Sequence, residues 1–506
     1  MKSRWIIILL LIIFVGFSLP TLKLALTSLK LIKISQQTLI SATNYGQNIF
    51  IDNPKKQQTN AVELKTNLIK LDQTLNTFIN QSQKSWLAKK IIKNQYDQLY
   101  DQLTIGQDLA VIAEKILTGK QNYVLLFQNS EELRATGGFL GSYAKLELDE
   151  GVLTSFEIQD IYVPDGQFNW FIQAPTGAKE YLSGGDGLRL RDANWHPDFP
   201  TSAQQILTYL AWGKEAGIDG AIAVNLPIVE KILAITGPIY IKDYDQIVTD
   251  KNFADIARVD RNLFFPGSQQ KQHFLSTFFN QLIIKLGDLD TLKQKSLAKE
   301  IINSAWHKDL QFFSHDPELQ LIFEKLQIAG QLSKHTHTTS LMLVESNVGI
   351  NKANQHLDRA VTINLEKFST QIKVDFTNHN YPPTTSNENK DQANHLTYVN
   401  YQRFIVPTNF NVQDIIFDNS KITNWNEELI TNSKNKSFKQ IGFLITIPEK
   451  SSKKLLINFT HYEQPGQKAI WIQKQAGLPP TLYNVSYQGQ AQSFELNKDT
   501  LVELTP

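Results

Sequence analysis

NSEELRATGGFLGSYAKLELDEGVLTSFEIQDIYVPDG, residues 129–166, is the stretch from which the fold is read. A glycine-rich turn at Thr136-Gly137-Gly138 separates two β-like runs, 123–127 and 139–148, and a third run, 153–163, follows Asp149-Glu150-Gly151. Short apolar runs punctuated in this way predict strand, turn, strand, turn, strand. Paired glycines permit positive φ and let a ligand approach the backbone, while Arg134 just before them offers a rigid fork of donors for an anion. On that reading Arg134, Asp160 and Asp165 surround one cleft. The plainer reading is a meander whose glycines serve only tight turns.

At 506 residues the chain exceeds what one core organises, so about three structural units are expected. The net charge of +1, with no basic run interleaved with aromatics, gives nucleic acid no footing as a partner. The charge is uneven, however: residues 1–120 hold 15 Lys plus Arg against 7 Asp plus Glu. That excess lies beside the expected membrane anchor, where it would favour anionic lipid. With no cysteine, disulfides, thiol catalysis and thiolate metal sites are excluded.

Trp5 to Leu22 contains eighteen residues without a charge, preceded by Lys2 and Arg4. The run is just long enough to span hydrocarbon, and its positive flank predicts a single-pass anchor with a cytoplasmic N-terminus and the bulk of the chain extracytoplasmic. A cleaved signal peptide is the competing reading, but no small-x-small site follows the run. From 23 to 120 the sequence is helical in character. Leu64, Leu68, Leu71, Leu75 and Phe78 alternate spacings of four and three, and Ile92, Tyr96, Leu99, Leu103, Gly106, Ala110, Ala113 and Leu117 continue the seam after a break near 81–86. Such seams pack as a helical hairpin, with 22–40 as a third helix, forming a stalk.

From 121 to 330 short strands mix with helices. Leu188 to Ala193 reads as a strand, and Pro200-Thr201-Ser202 as the start of a helix over 203–212. Residues 220–224, a helix beginning at Pro227, the Thr236-Gly237-Pro238 turn and a strand at 239–241 read as an α/β crossover. Residues 274–286 read as a further amphipathic helix. After a linker at 331–339, alternating runs at 360–365, 371–377, 398–406, 443–447, 454–462 and 469–473 predict a β-sandwich over 340–506, immunoglobulin-like by analogy. The five segments are therefore a tip and anchor (1–22), a stalk (23–120), an α/β mixed-sheet domain (121–330), a linker (331–339) and a sandwich (340–506).

The words ELRATGGFLGSYAKLELDEGVLTSFEIQDIYVPDGQ, NWHPDFPTSA, IDGAIAVNLPIVEKILAITGPIYI, ESNVGINKANQHLDR and QKQAGLP, in that order from about Tyr123 to near the C-terminus, resemble the bacterial membrane-associated family known as domain of unknown function 4012. More distantly, Arg134 and its strand, the strand ending Gln159-Asp160-Ile161-Tyr162-Val163, the 218–241 segment and the helix QQKQHFLSTFFNQL are similar to the LytR-CpsA-Psr enzymes. Those are anchored transferases that move glycans from a polyprenyl pyrophosphate carrier onto peptidoglycan with a divalent metal. The resemblance implies Arg134 and Asp160 as catalytic residues, Arg134, Gln159, Arg258 and Arg261 as pyrophosphate ligands, and Asp160 and Asp165 as ligands of Mg2+. In that pattern Gln159 stands where an arginine is expected, Thr136 where an acid is expected, and Gly267 and Gln270 where two arginines are expected; Arg258 and Arg261 lie nearby.

A pyrophosphate needs several fixed cations and magnesium needs one or two carboxylates, so the transferase reading requires these side chains to converge. The expected function is accordingly a membrane-anchored envelope protein whose α/β domain binds, or transfers, a polyprenyl-pyrophosphate-linked glycan. The alternative is a non-catalytic surface scaffold or adhesin that keeps only the fold. His196 and Asp198 read as a proline-held loop over Trp195 rather than a metal or base site, and His335 and His337 as an exposed pair in the linker. No GxSxG elbow or Walker-type loop is present.

Overall fold

A computed structural model of the chain describes residues 2–48, 53–84, 96–167, 171–253, 256, 269–333, 338–380, 396–462, 469–487 and 490–503, with the side chains of 2–22, 47, 96–102 and 269–271 outside that description. Arg258, Arg261, His335 and His337 therefore lie outside the described residues, as do the side chains of the expected anchor. Among the described residues no helix is long and apolar enough to cross a membrane. The chain divides into two compact units. One comprises Met1–Asn122, Leu146–Phe156 and Phe278–Lys295; the other comprises Tyr123–Lys145, Glu157–Thr277 and Ser296–Pro506.

The first unit is built on helices α1 (Lys2–Asn48), α2 (Pro54–Lys84) and α3 (Tyr96–Ile116). The seam read from spacing is where these helices meet: Ala61, Leu64 and Leu68 pack with Ala110, Ala113 and Leu117 in one apolar cluster, to which Tyr45 of α1 adds its ring. Leu75 continues the buried row and lies opposite Gly106. The third helix is longer than the 22–40 expected, because no glycine or proline follows Pro20 until Gly46. The turn after Asp149 belongs to this unit. Gly151 lies so close to Leu117 that a Cβ there would stand 2.6 Å from its side chain, and φ at Gly151 is +74°.

A five-stranded sheet has the order β3-β2-β1-β4-β7, with β1 at Lys120–Asn129, β2 at Phe139–Asp149, β3 at Val152–Asp160, β4 at Gly220–Asn225 and β7 at Leu310–Ser314. The strand, turn, strand, turn, strand reading of 123–163 holds up to Asp160, after which Tyr162–Asp165 form a helical turn. Strands β1 and β4 are parallel, and their register sets Gln128 beside Asn225 at the carboxyl ends. Small Ala221 and Ala223 on β4 leave room for helix α4 (Phe199–Trp212), whose Ala203, Ile206, Leu207 and Leu210 close the core with Val124, Leu126, Leu140 and Tyr143. Asp198 caps α4 by accepting from the Thr201 N–H at 3.1 Å, so the helix starts four residues before Ala203.

Helix α5 (Leu226–Thr236) does follow β4, but strand β5 (Ile239–Ile241) pairs antiparallel with β6 (Gln246–Val248) in a separate two-stranded sheet. At three residues it is too short to return to the main sheet, and the parallel partner of β4 comes from 97 residues earlier, at Tyr123 facing Gly220. Residues 188–193 are not a strand: Leu190–Asp192 form a 3-10 turn after Gly187, whose φ of +77° breaks the extended run. Further helices are α6 (Gln269–Gly287), α7 (Thr291–Trp306) and α8 (Pro317–Lys325).

Two sheets follow. With β8 at Thr338–Val344, β9 at Leu357–Leu365, β10 at Ser369–Asn378, β11 at Tyr398–Val406, β12 at Asn411–Phe417, β13 at Ser420–Lys421, β14 at Asn426–Thr431, β15 at Ser437–Ile447, β16 at Ser451–Thr460, β17 at Ala469–Gln473, β18 at Thr481–Tyr487, β19 at Gln490–Leu496 and β20 at Thr500–Glu503, one has the order β13-β12-β16-β10-β9-β18-β19 and the other β14-β15-β11-β8-β17-β20. They face each other across a single apolar core that includes Leu343, Ile363, Ile372, Phe404, Ile445 and Ile457. Seven and six strands exceed the immunoglobulin pattern expected by analogy. Thr338 and Thr339, expected in the linker, already belong to β8. Strand β10 alternates buried and half-buried residues, as a one-sided strand should; β11 is buried almost throughout. The reason is that the outer face of its sheet is covered as well: Met342, Val344, Ile405 and Phe438 pack on Ala135, and Tyr401 and Val348 pack on Trp195, Ala174 and Leu188.

Candidate functional site

The loop 133–138 lies at that covered face. Gln128, at the end of β1, accepts through Oε1 from the Gly138 N–H at 3.0 Å, the Asn194 amide at 3.1 Å and the Thr136 hydroxyl at 3.3 Å. The two glycines are required by crowding. A Cβ on Gly137 would stand 2.3 Å from Asn225 Oδ1, and one on Gly138 would stand 2.1 Å from the Asn129 carbonyl oxygen. Gln311 of β7 donates to the Thr136 carbonyl at 2.7 Å. The loop thus closes over the carboxyl ends of the parallel pair, where open α/β sheets usually take their ligands.

Arg134 is almost fully buried, with 1% of its surface exposed. Its Nε pairs with Asp192 at 3.1 Å, and its Nη1 donates to the carbonyls of Asn347 at 2.8 Å and Leu133 at 3.2 Å. Arg191 continues the network, 3.8 Å from Asp192 and 2.8 Å from Asp165, with its guanidinium 5.4 Å from the centre of the Tyr162 ring. Asp165 also accepts from the Leu190 N–H at 2.7 Å. Burial raises its carboxyl above the usual carboxylate range, against the pull of that N–H and of Arg191. Asp160 accepts from the Tyr162 N–H at 2.9 Å, and Gln159 accepts from the Tyr143 hydroxyl at 2.8 Å. Burial, reinforced by Glu215, raises that phenol.

Arg134 and Asp165 are therefore brought into one network, with Asp160 joined to it through Tyr162, but the residues that join them are Arg191 and Asp192. Sequence reading passed over both, because Leu188-Arg189-Leu190-Arg191 alternates apolar and charged residues and reads as a strand. The acceptor capacity a Mg2+ ion would need is largely turned to protein donors: both Asp165 oxygens and one Asp160 oxygen accept from the chain. Among the described residues no group of three or more acids and histidines is placed to hold a metal.

The second side of the loop is taken by the sandwich. Gln475 donates to the carbonyls of Arg134 at 3.0 Å and Glu345 at 2.8 Å, and accepts from the Glu345 N–H at 2.8 Å. The Asn347 N–H donates to Leu133 O at 3.0 Å. A Cβ on Gly477 would stand 2.0 Å from Gly137 O. Asp198, wholly buried, receives the N–H groups of Leu332 at 2.8 Å and Ser433 at 3.0 Å besides its helix cap. His196 accepts at Nδ1 from the Asp198 N–H, and burial lowers its pKa. Arg403 donates to the Trp195 carbonyl at 2.9 Å and to Ser346 at 2.8 Å, lying 4.5 Å over the Trp195 ring; burial pulls it down to about 10. Lys474 donates to the carbonyls of His307 at 3.1 Å and Gln475 at 3.2 Å, and Lys308 pairs with Asp499 at 2.7 Å. The words ELRATGG, NWHPDFP, ESNVGINK and QKQAGLP, far apart in sequence, thus meet at one joint.

Comparison with known proteins adds little about activity. No curated protein matches the chain. Among solved structures, a protein described as nutrient-binding from Legionella pneumophila is 11% identical, with 29% of this chain covering 54% of that one at a TM-score of 0.19. An M1 zinc metallopeptidase from Deinococcus radiodurans is 9% identical, with 30% covering 39% at 0.15. This chain spans about half of the first and about two fifths of the second. Residues 118–261, which include the 133–138 loop and its Asp192 and Asp198 partners, match the model of a protein of unknown function, DUF4012.

Proposed function

We propose that this chain is a non-catalytic scaffold of the bacterial cell envelope, held at the membrane by its N-terminal apolar segment and displaying the α/β sheet and the sandwich on the outer side. One observation supports this reading: the Arg134 fork is closed, spent on Asp192 and three backbone carbonyls inside a joint built from four stretches far apart in sequence. A buried arginine used in this way stabilises a fold and leaves no donor fork open to solvent.

A second reading, a polyprenyl-pyrophosphate glycan site in the manner of the LytR-CpsA-Psr enzymes with Mg2+ and a peptidoglycan acceptor, is favoured by one feature. The side chain of Arg191 is 32% exposed, stacked on Tyr162, and Arg189 also acts on Asp165. Binding of a polyprenyl pyrophosphate to the full chain in detergent, with and without magnesium, separates the two. The scaffold reading expects no saturable binding, and expects Arg134→Ala to lower stability by about 3 kcal/mol or more by stranding Asp192 and buried carbonyls. Saturable, magnesium-dependent binding lost in Arg191→Ala overturns it in favour of the glycan site.

A further inference from the structure

We propose that α1 pairs with the α1 helix of a second copy of this chain, parallel and in register, through the face opposite the one it turns to α2. This rests on the helix itself, and on the proposed reading only for the membrane that holds two copies close together. The face turned to α2 is already furnished: Leu31 and Ile34 lie in one row with Thr27, Thr38 and Ser41, Ile34 is buried, Thr27 donates to Gln81 at 2.7 Å, Thr38 to the Asn67 carbonyl at 3.3 Å, and Asn67 to Ser41 at 3.2 Å. A second set of large apolar side chains points the other way. Leu26, Leu29, Ile32, Leu39 and Ile40 are each 50–66% exposed. A surface helix needs only one apolar face for its own core, so a second one on the outer side marks that face as covered in the assembled protein.

The spacing decides what covers it. Ala25, Leu29, Ile32, Gln36, Leu39 and Thr43 recur at alternating steps of four and three, the seam of a two-stranded coiled coil, while the residues packed on α2 lie half a turn away. No acidic residue precedes Asp52, so a second copy is compatible only if its lysines avoid the seam. They do: Lys23 and Lys30 fall at outer positions, and Lys33 flanks the seam where the partner helix presents Ser28 and Ser35. Gln36 selects the orientation. In a parallel pair it meets its own copy and the two amides bond; in an antiparallel pair centred on this stripe it would be buried against Ile32. The stripe spans about 28 Å of helix. That is small beside stable interfaces of about 1,200–2,000 Å2, so pairing should require two chains held close together, as in one membrane.

The absence of cysteine makes the test clean. Single cysteines are placed in the full chain at Ile32, Gln36 and Leu39 on the seam, and at Lys30 and Gln37 beside it, and the protein is reconstituted in liposomes and mildly oxidised. The expected result is disulfide-linked dimer at the seam positions in at least fivefold excess over Lys30 and Gln37. Adding Leu29→Glu with Ile32→Glu to the Gln36 cysteine should abolish the cross-link while leaving far-UV circular dichroism unchanged, since both side chains are exposed. Equal yields at all five positions, no dimer at any, or a cross-link between cysteines at 32 and 36 in place of 36 with 36 overturns the proposal.

Discussion

Lys474 is almost fully buried. Its ammonium is buried between two carbonyls with Lys308 and Lys231 nearby, and burial pushes it down to about 8. An unfolded lysine titrates near ~10.4, so between the two values the unfolded chain binds more protons and stability rises with pH. Below about 8 the buried charge is a standing penalty. The expected outcome is that wild type gains roughly 2–3 kcal/mol relative to Lys474→Met between pH 7 and pH 10, read from urea unfolding of both proteins at each pH. A parallel pH dependence in the two would show that Lys474 keeps its ordinary pKa in the fold. The site residues carry the same lesson. Arg134 was legible as a loop arginine, yet its partner Asp192 lies 58 positions away, and nothing local distinguishes an arginine that waits for phosphate from one already paired.

Among the elements, loops rather than strands hold the joint. Gly477 has φ of +80° and no room for a methyl group, whereas Gly184, at +55°, faces open space. Both substitutions to alanine pay for left-handed backbone, about 1 kcal/mol, but only Gly477→Ala also collides with Gly137 O. Gly477→Ala should therefore cost about 2 kcal/mol more than Gly184→Ala in denaturant unfolding; equal losses would mean that the 474–477 loop yields easily. Element type was readable wherever one face is solvated, as in β10 or the α2–α3 seam. It failed at 188–193, where leucine-arginine alternation imitates a strand but Leu190 donates to Asp165 instead of to a neighbouring strand.

In the second unit the α/β sheet and the sandwich share buried groups: Asp198 binds Leu332 and Ser433, Arg403 reaches the Trp195 carbonyl, and Ala135 sits in a cluster with Ile405. Structures joined by buried polar contacts of this kind open as one cooperative body, since exposing either side strands charges and carbonyls of the other. Hydrogen exchange by mass spectrometry should accordingly give peptides from β1 and β4 the same opening free energy as peptides from β8 and β11. A sandwich that opens at much lower free energy would show the joint to be weak.

Composition, turn chemistry and periodicity were sufficient to place the helical seam, the strands flanking 133–138 and most strands of the sandwich, because each depends on a pattern a few residues long. They were also sufficient to exclude cysteine chemistry. Only the tertiary structure decided that β4 pairs in parallel with β1, that the sandwich is covered on a second face, and that Arg134 is spent on Asp192 and Asn347. These depend on contacts across 58 to 303 positions, from Arg134 with Asp192 to Ala135 with Phe438. Their energy comes from desolvated charges and carbonyls finding partners, which sequence spacing does not encode.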